Sequence, residues 1–172
     1  VGTDGQILGA QAVGADGVDR RIDVIATAMR AGLSATDLID LDLAYAPPYG
    51  QAKDPVNQTG MVAHNVVTGE LVLTGPDTLT EDMPVLDVRT PGEYAAGHMP
   101  NSLNIPHTQL RDRLDEVRSW VDEKVGDQPF VVMCAAGVRS WIGYRIVRHA
   151  GFNVTMLSGG IQTLRAWLGN RA

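Results

Sequence analysis

From Met61 onward, short apolar runs alternate with amphipathic stretches, and this alternation constrains the fold more than any other feature of the chain. Such a pattern is the signature of an α/β layer built on a parallel sheet. "ELVLT", "PVLDV", "SLNIP", "PFVVMC" and "NVTML" read as five strands, each bounded by polar or turn-forming residues. Residues 91–96, 110–122, 139–150 and 160–168 read as helices, the last with Leu164, Trp167 and Leu168 on one side. "PFVVMC" is the most continuous run, as expected of a central strand covered on both faces. The expected fold is α/β, a doubly wound five-stranded parallel sheet whose ligands collect at the carboxyl ends of the strands.

Composition excludes several partners. The formal net charge of -6 supplies no basic face for nucleic acid or for an anionic membrane surface. No apolar run approaches the ~20 residues of a membrane span, and no n-region with an h-region announces export, so neither is expected. A single cysteine cannot form an internal disulfide, which suits a reducing, cytoplasmic compartment. No metal is expected. The start at Val1, directly in a strand-like stretch, suggests a piece of a longer protein.

The first sixty residues follow another pattern. Residues 6–13 read as a strand flanked by glycines. Asp19 then caps a helix whose apolar stripe is Ile22, Ile25, Met29 and Leu33, with Gly32 at the C-cap position. Ser34 and Asp37 form a variant capping box for a second short helix. Three prolines and two glycines in "AYAPPYGQAKDPVNQTG" exclude regular structure until about Val56. On residue pattern alone that stretch reads as a linker.

The residues around Cys134 carry the chemistry. Cys134 ends the strongest strand, Ala135, Ala136, Gly137 and Val138 are small or compact, and Arg139 and Ser140 open a helix. The expected apolar face of that helix is Val138, Ile142, Ile146 and His149 or Ala150. A loop between a strand end and a helix start directs backbone N–H groups inward, where they favour an anion. A thiolate is one, and a nearby arginine with a helix N-terminus lowers a thiol pKa. Free cysteines are commonly buried filler, but this placement favours an ionised nucleophile.

"VLDVRTPGEYAAGHMPNSLNIP", "CAAGVRS" and "LSGGIQTLRAW", in that order, resemble a rhodanese domain, here residues 61–172. The resemblance implies that Cys134 carries sulfane sulfur as a persulfide, with Ala135, Ala136, Gly137, Val138, Arg139 and Ser140 as its cradle. It makes Asp87, Arg89, Glu93 and His98 part of a first signature, read as charge pairing that holds the loops rather than as catalysis. Thiosulfate-specialised rhodaneses typically place Arg or Lys where this chain has Ala135 and Ala136, so a persulfide or polysulfide donor is expected. The signature's usual small pair is replaced by Asn101 and Ser102.

"ILGAQAVG", "DRRIDVIATAM" and "DLAYAPPYGQAKDPVN" resemble the end of the dimerisation domain of pyridine nucleotide-disulfide oxidoreductases, especially the coenzyme A disulfide reductase and NADH oxidase group. Residues 1–60 are thus expected to be a partial α+β dimerisation domain preceding the rhodanese domain. The resemblance implies a homodimeric parent using FAD, NAD(P)H and coenzyme A, with no cofactor held by this chain. No GxGxxG fingerprint is present. It also assigns Tyr45 to the partner subunit's active site, the alternative being simple packing of the turn.

Three function classes follow. The first is a sulfurtransferase exchanging sulfur with a small persulfide, polysulfide or thiol, within a persulfide, polysulfide or coenzyme A-disulfide reductase. The second is an inactive rhodanese used for binding or regulation, which usually lacks the cysteine. The third is a cysteine phosphatase, disfavoured because Cys134 to Arg139 is a C-x4-R loop, whereas phosphate wants the wider C-x5-R ring of donors.

Overall fold

The computed structural model describes residues 1–48 and 50–169, which divide into two compact units, Val1–Leu71 and Val72–Ala172. The division falls later than residue 60 because helix α2, Pro55–Val67, packs wholly within the first unit. Its Gly60 lies so close to the 3₁₀ turn Asp37–Asp40 that a Cβ there would sit 2.9 Å from both Ile39 N and Leu38 Cβ. Residues 44–48 and 50–54 are irregular, but they belong to the first unit and do not link the two.

In the first unit, helix α1 spans Val18–Ala31 and stops at Gly32, whose φ of 76° supplies the left-handed cap. Its N-cap is Gly17, and Asp19 lies in the first turn without capping it. Its buried positions are Ile25 and Ala28, while Met29 is exposed. Ile7, Ala35, Leu38 and Val56 complete this core. Ser34 and Asp37 bond one another, the Asp37 carboxylate accepting from Ser34 N and Oγ at 2.7 Å and Ser34 Oγ accepting from Asp37 N, but the element they precede is only the 3₁₀ turn Asp37–Asp40, whose N-cap is Thr36 without a side-chain cap. Asp54 caps α2 by accepting from Val56 N, with Pro55 at the first helical position. Residues 6–13 are not a strand. Only Gln6 finds a β partner, in Ser34, and a strand is defined by its ladder.

The second unit is a five-stranded parallel sheet in the order β1-β5-β4-β2-β3. Its strands are β1 Leu73–Thr74, β2 Val85–Asp87, β3 Ser102–Asn104, β4 Phe130–Met133 and β5 Val154–Leu157. Its helices are α3 Pro91–Ala95, α4 Leu114–Trp120, which continues as a π turn Val121–Val125, α5 Val138–His149 and α6 Gly160–Gly169. β4 is central and buried at every residue.

Side chains alternate across β4. Val131 and Met133 join Val85, Leu157, Ile161 and Leu164 under α6. Val132 faces the other way, onto α5, where it meets Gly143 together with Val88. By the same alternation Cys134 lies on the α5 side. After β2 the chain turns outward to β3, and after β4 it turns the opposite way to β5, so the order reverses between β2 and β4. Crevices form at such reversals, beyond the carboxyl ends of the strands.

The buried face of α5 differs from the expected one. Ser140, Gly143, Tyr144, Ile146 and Val147 face inward, whereas Val138 is 77% exposed and Ile142 41% exposed. A Cβ on Gly143 would stand 3.0 Å from Val88 Cγ1, so the helix packs close to the sheet through its small residues. On α6, Ile161 and Leu164 are buried, but Trp167 and Leu168 are exposed.

Candidate active site

Cys134 follows β4 directly and is 1% exposed. Its loop turns at Gly137, whose φ of 132° suits glycine, and Gly137 N–H donates to Sγ at 3.2 Å. Burial alone pushes the thiol up. The Ser140 hydroxyl and the backbone N–H groups of Gly137, Ser140 and Ala136 overcome this and bring the thiol below its ordinary value. Ser140 Oγ is fully buried with no hydrogen-bond partner of ordinary geometry among the described residues, so the sulfur is the group on which its dipole acts. An amide-lined loop with a buried hydroxyl beside a depressed thiol is built to hold negative charge on sulfur.

The loop is held from two sides. Ile161 N–H donates to Cys134 O at 2.9 Å and Gln162 N–H to Ala135 O at 3.1 Å, so the first turn of α6 grips the loop's carbonyls. Gly160 makes that approach possible: a Cβ there would lie 2.6 Å from the Ala135 carbonyl carbon and oxygen. Nothing in the side chains of "LSGGIQ" signals this role, because it is carried by backbone amides.

From the other side, Arg139 donates through both terminal nitrogens to the two carboxylate oxygens of Glu93, at 2.7 Å each. Arg139 first and the Thr90 N–H next hold the Glu93 carboxyl well below the usual carboxylate range. Glu93 in turn raises Arg139, with a smaller contribution from the Cys134 thiolate. Arg139 therefore ties the start of α5 to α3, and the largest lowering of the thiol comes from Ser140 and the amides.

Asp87, the last residue of β2, and Arg89 form a buried bidentate pair, with a shortest contact of 2.6 Å. Arg89 also donates to Gly97 O. His98 stacks on Tyr94 with centroids 3.9 Å apart, and its Nδ1 lies 3.0 Å from Tyr94 O. Asp87, Arg89, Glu93 and His98 are all engaged in fixing the chain beside the loop, and none is among the groups that lower the thiol. Ala136 and Val138 are exposed at the loop's outer edge, and Ala135 is half-buried. Tyr45 belongs to the first unit and is 56% exposed, so the turn does not bury its ring. Among the described residues no cluster of His, Cys, Asp or Glu could hold a metal, and no helix is long and apolar enough to cross a membrane.

Residues 75–166 match the model of the rhodanese-like domain family. The chain belongs to that family. Ahead of the rhodanese-like domain, residues 1–55 match the dimerisation domain of the pyridine nucleotide-disulphide oxidoreductases. A coenzyme A disulfide reductase of Staphylococcus aureus (strain bovine RF122 / ET3-1) is 50% identical over 58 residues, which are 34% of this chain and 13% of that protein. The chain therefore spans about an eighth of the curated relative it matches. The crystal structure of reduced Bacillus anthracis CoADR-RHD aligns with a TM-score of 0.80 at 38% identity, covering 91% of this chain and 28% of that one. An NAD-dependent persulfide reductase from A. fulgidus aligns at 0.73 and 42% identity, covering 87% and 26%. The similarity thus joins a rhodanese-like domain to the dimerisation region of disulfide reductases in one chain.

Proposed function

We propose that this chain is the sulfur-carrying end of a flavin- and NAD(P)H-dependent persulfide, polysulfide or coenzyme A-disulfide reductase. Residues of the second unit act as a rhodanese-type sulfurtransferase, and the first unit contributes to a homodimer interface of the parent, where Tyr45 serves the partner subunit's site. The observation that carries the reading is the ring of N–H and O–H groups around Cys134, which lowers its thiol although the residue is buried. Names of the relatives support the setting: one reduces coenzyme A disulfide and one reduces persulfide.

In the proposed step the Cys134 thiolate attacks the outer sulfur of R–S–SH. The S–S bond to R–S breaks, R–S⁻ leaves and takes up the released proton, and Cys134 keeps the sulfur as Cys–S–S⁻. The loop amides then face the added sulfur. Because the chain has one cysteine, the acceptor is a small thiol or a thiol of the parent enzyme. FAD and NAD(P)H would supply hydride and electrons elsewhere in the parent; no Gly-rich dinucleotide loop in this chain fits them. A reducing cytoplasm keeps the single thiol free.

Intact mass after exposure to polysulfide tests the proposal. Gain of one sulfur by the wild type and none by Cys134→Ser supports it. An unmodified wild type would leave the domain in the inactive, binding class.

A further inference from the structure

The exposed face of α5 is unexplained by the packing of the domain. Exposed Ile142, Arg145 and His149 fall at helical spacings of three and four, and with buried Ile146 at the floor, Arg111 and Trp141 they line a cavity of about 310 Å³. That volume lies at the lower end of ligand-site sizes. No carboxylate lines it. Neither Arg111 nor Arg145 makes an ion pair among the described residues, in a chain of net charge -6. The Arg145 guanidinium lies 5.6 Å from the centre of the Trp141 ring, an arrangement onto which a purine can stack. Two uncompensated guanidinium groups and an imidazole beside an indole suit a ligand that is both anionic and aromatic, a phosphorylated nucleoside.

An apolar path joins this cavity to the sulfur loop. Val138 lies one turn before Ile142 on the same face, and with exposed Ala136 it leads back to the loop of Cys134. From Val138 to Arg145 the helix rises about 10 Å. A pantetheine arm, about twelve bonds long, is comparable to four extended residues, ~14 Å.

We propose that the α5 cavity binds the phosphorylated adenosine end of a coenzyme A-type thiol, whose pantetheine arm runs over Ile142 and Val138 toward Cys134. This rests on the reading of Cys134 as a site that exchanges sulfur with small thiols, and names the thiol class. The specificity then belongs to the rhodanese-like domain itself.

Calorimetric titration of the 172-residue chain with coenzyme A and with ADP tests it. Coenzyme A is expected to bind more tightly than ADP. Arg111→Ala and Arg145→Ala, both at exposed positions, are each expected to weaken coenzyme A by roughly five- to tenfold. Val138→Ser, outside the cavity lining and 77% exposed, is expected to weaken coenzyme A and not ADP. Coenzyme A weaker than about 1 mM overturns the proposal, as does indifference to both arginine substitutions. ADP binding as tightly as coenzyme A makes this a free-nucleotide site and also overturns it. Sulfur uptake by Cys134 from inorganic polysulfide does not involve the cavity, so failure of the sulfurtransferase reading appears separately in that mass measurement.

Discussion

Arg139 and Glu93 face each other fork to fork, with both N···O distances at 2.7 Å, across 46 residues of sequence. The pair anchors the first turn of α5 to α3, and Thr90 completes the anchor by donating N–H and Oγ to the same carboxylate. Bidentate geometry sets it apart from ordinary surface ion pairs, which contribute little.

The first prediction is a pH dependence. Glu93 has a depressed carboxyl, so its contribution is fully present above the ordinary value of 4.5 and is lost as pH falls through the lowered value. The melting temperature of the wild type is expected to exceed that of Glu93→Gln by a constant margin from neutrality down to about pH 4.5, the gap closing only in stronger acid. A gap that closes above pH 5 would show that the pair is not what depresses Glu93.

A second prediction separates Ser140 from Arg139. The Ser140 hydroxyl is the first of the groups that lower the thiol, so Ser140→Ala is expected to raise its pKa more than Arg139→Ala does. In the wild type the thiolate absorbance is expected to titrate with a midpoint below 9.0. Equal shifts in the two variants would return the leading role to arginine.

The grip of α6 on the loop gives a third. Gly160→Ala places a Cβ 2.6 Å from a backbone carbonyl at a φ of 64°. A loss of about 2–4 kcal/mol in denaturant unfolding is expected, together with a rise in the thiol pKa as the loop shifts. Gly92→Ala, in α3 with nothing within 4 Å of the new Cβ, is the control and is expected to be neutral or mildly stabilising. Similar losses in both would remove the clash as the cause.

The fourth concerns donor choice. Ala135 and Ala136 bring no charge to the loop, and Arg139 is committed to Glu93. Persulfides are expected to have higher kcat/KM than thiosulfate, and Ala135→Arg is expected to shift that ratio toward thiosulfate. Thiosulfate as the better donor of the unaltered chain would refute the charge argument.

All five strands were legible because each lies in a short, mostly apolar run ended by turn residues, although only "FVVM" is apolar and buried throughout. The Cys134 loop was legible for a similar reason, since a strand end, a glycine and a helix start sit next to one another in the sequence. The orientation of α5 was not. Its buried face holds Ile146 as expected but also Ser140, beside the sulfur, and Gly143, which lets the helix approach Val88 and Val132, while Val138 and Ile142 point outward, so hydrophobicity alone did not mark the buried side. Residues 6–13 misled because a strand pattern describes one chain segment, and a strand also needs a neighbour. The amides of Ile161 and Gln162 were invisible because their contribution does not depend on side-chain identity.

The alternation along β4 carries a consequence for how the chain tolerates changes of length. Val132 and Cys134 share one side of the sheet, and Val131 and Met133 the other. Deleting or inserting one residue within Phe130–Met133 would invert that parity and turn the sulfur into the layer of Ile161 and Leu164, away from Gly137 and Ser140. A two-residue change would keep the side but move the sulfur about 7 Å along the strand. Length variation compatible with sulfur chemistry is therefore confined to the exposed turn before β4, around Asp127 and Gln128, and a four-residue strand sets the aim of the only thiol.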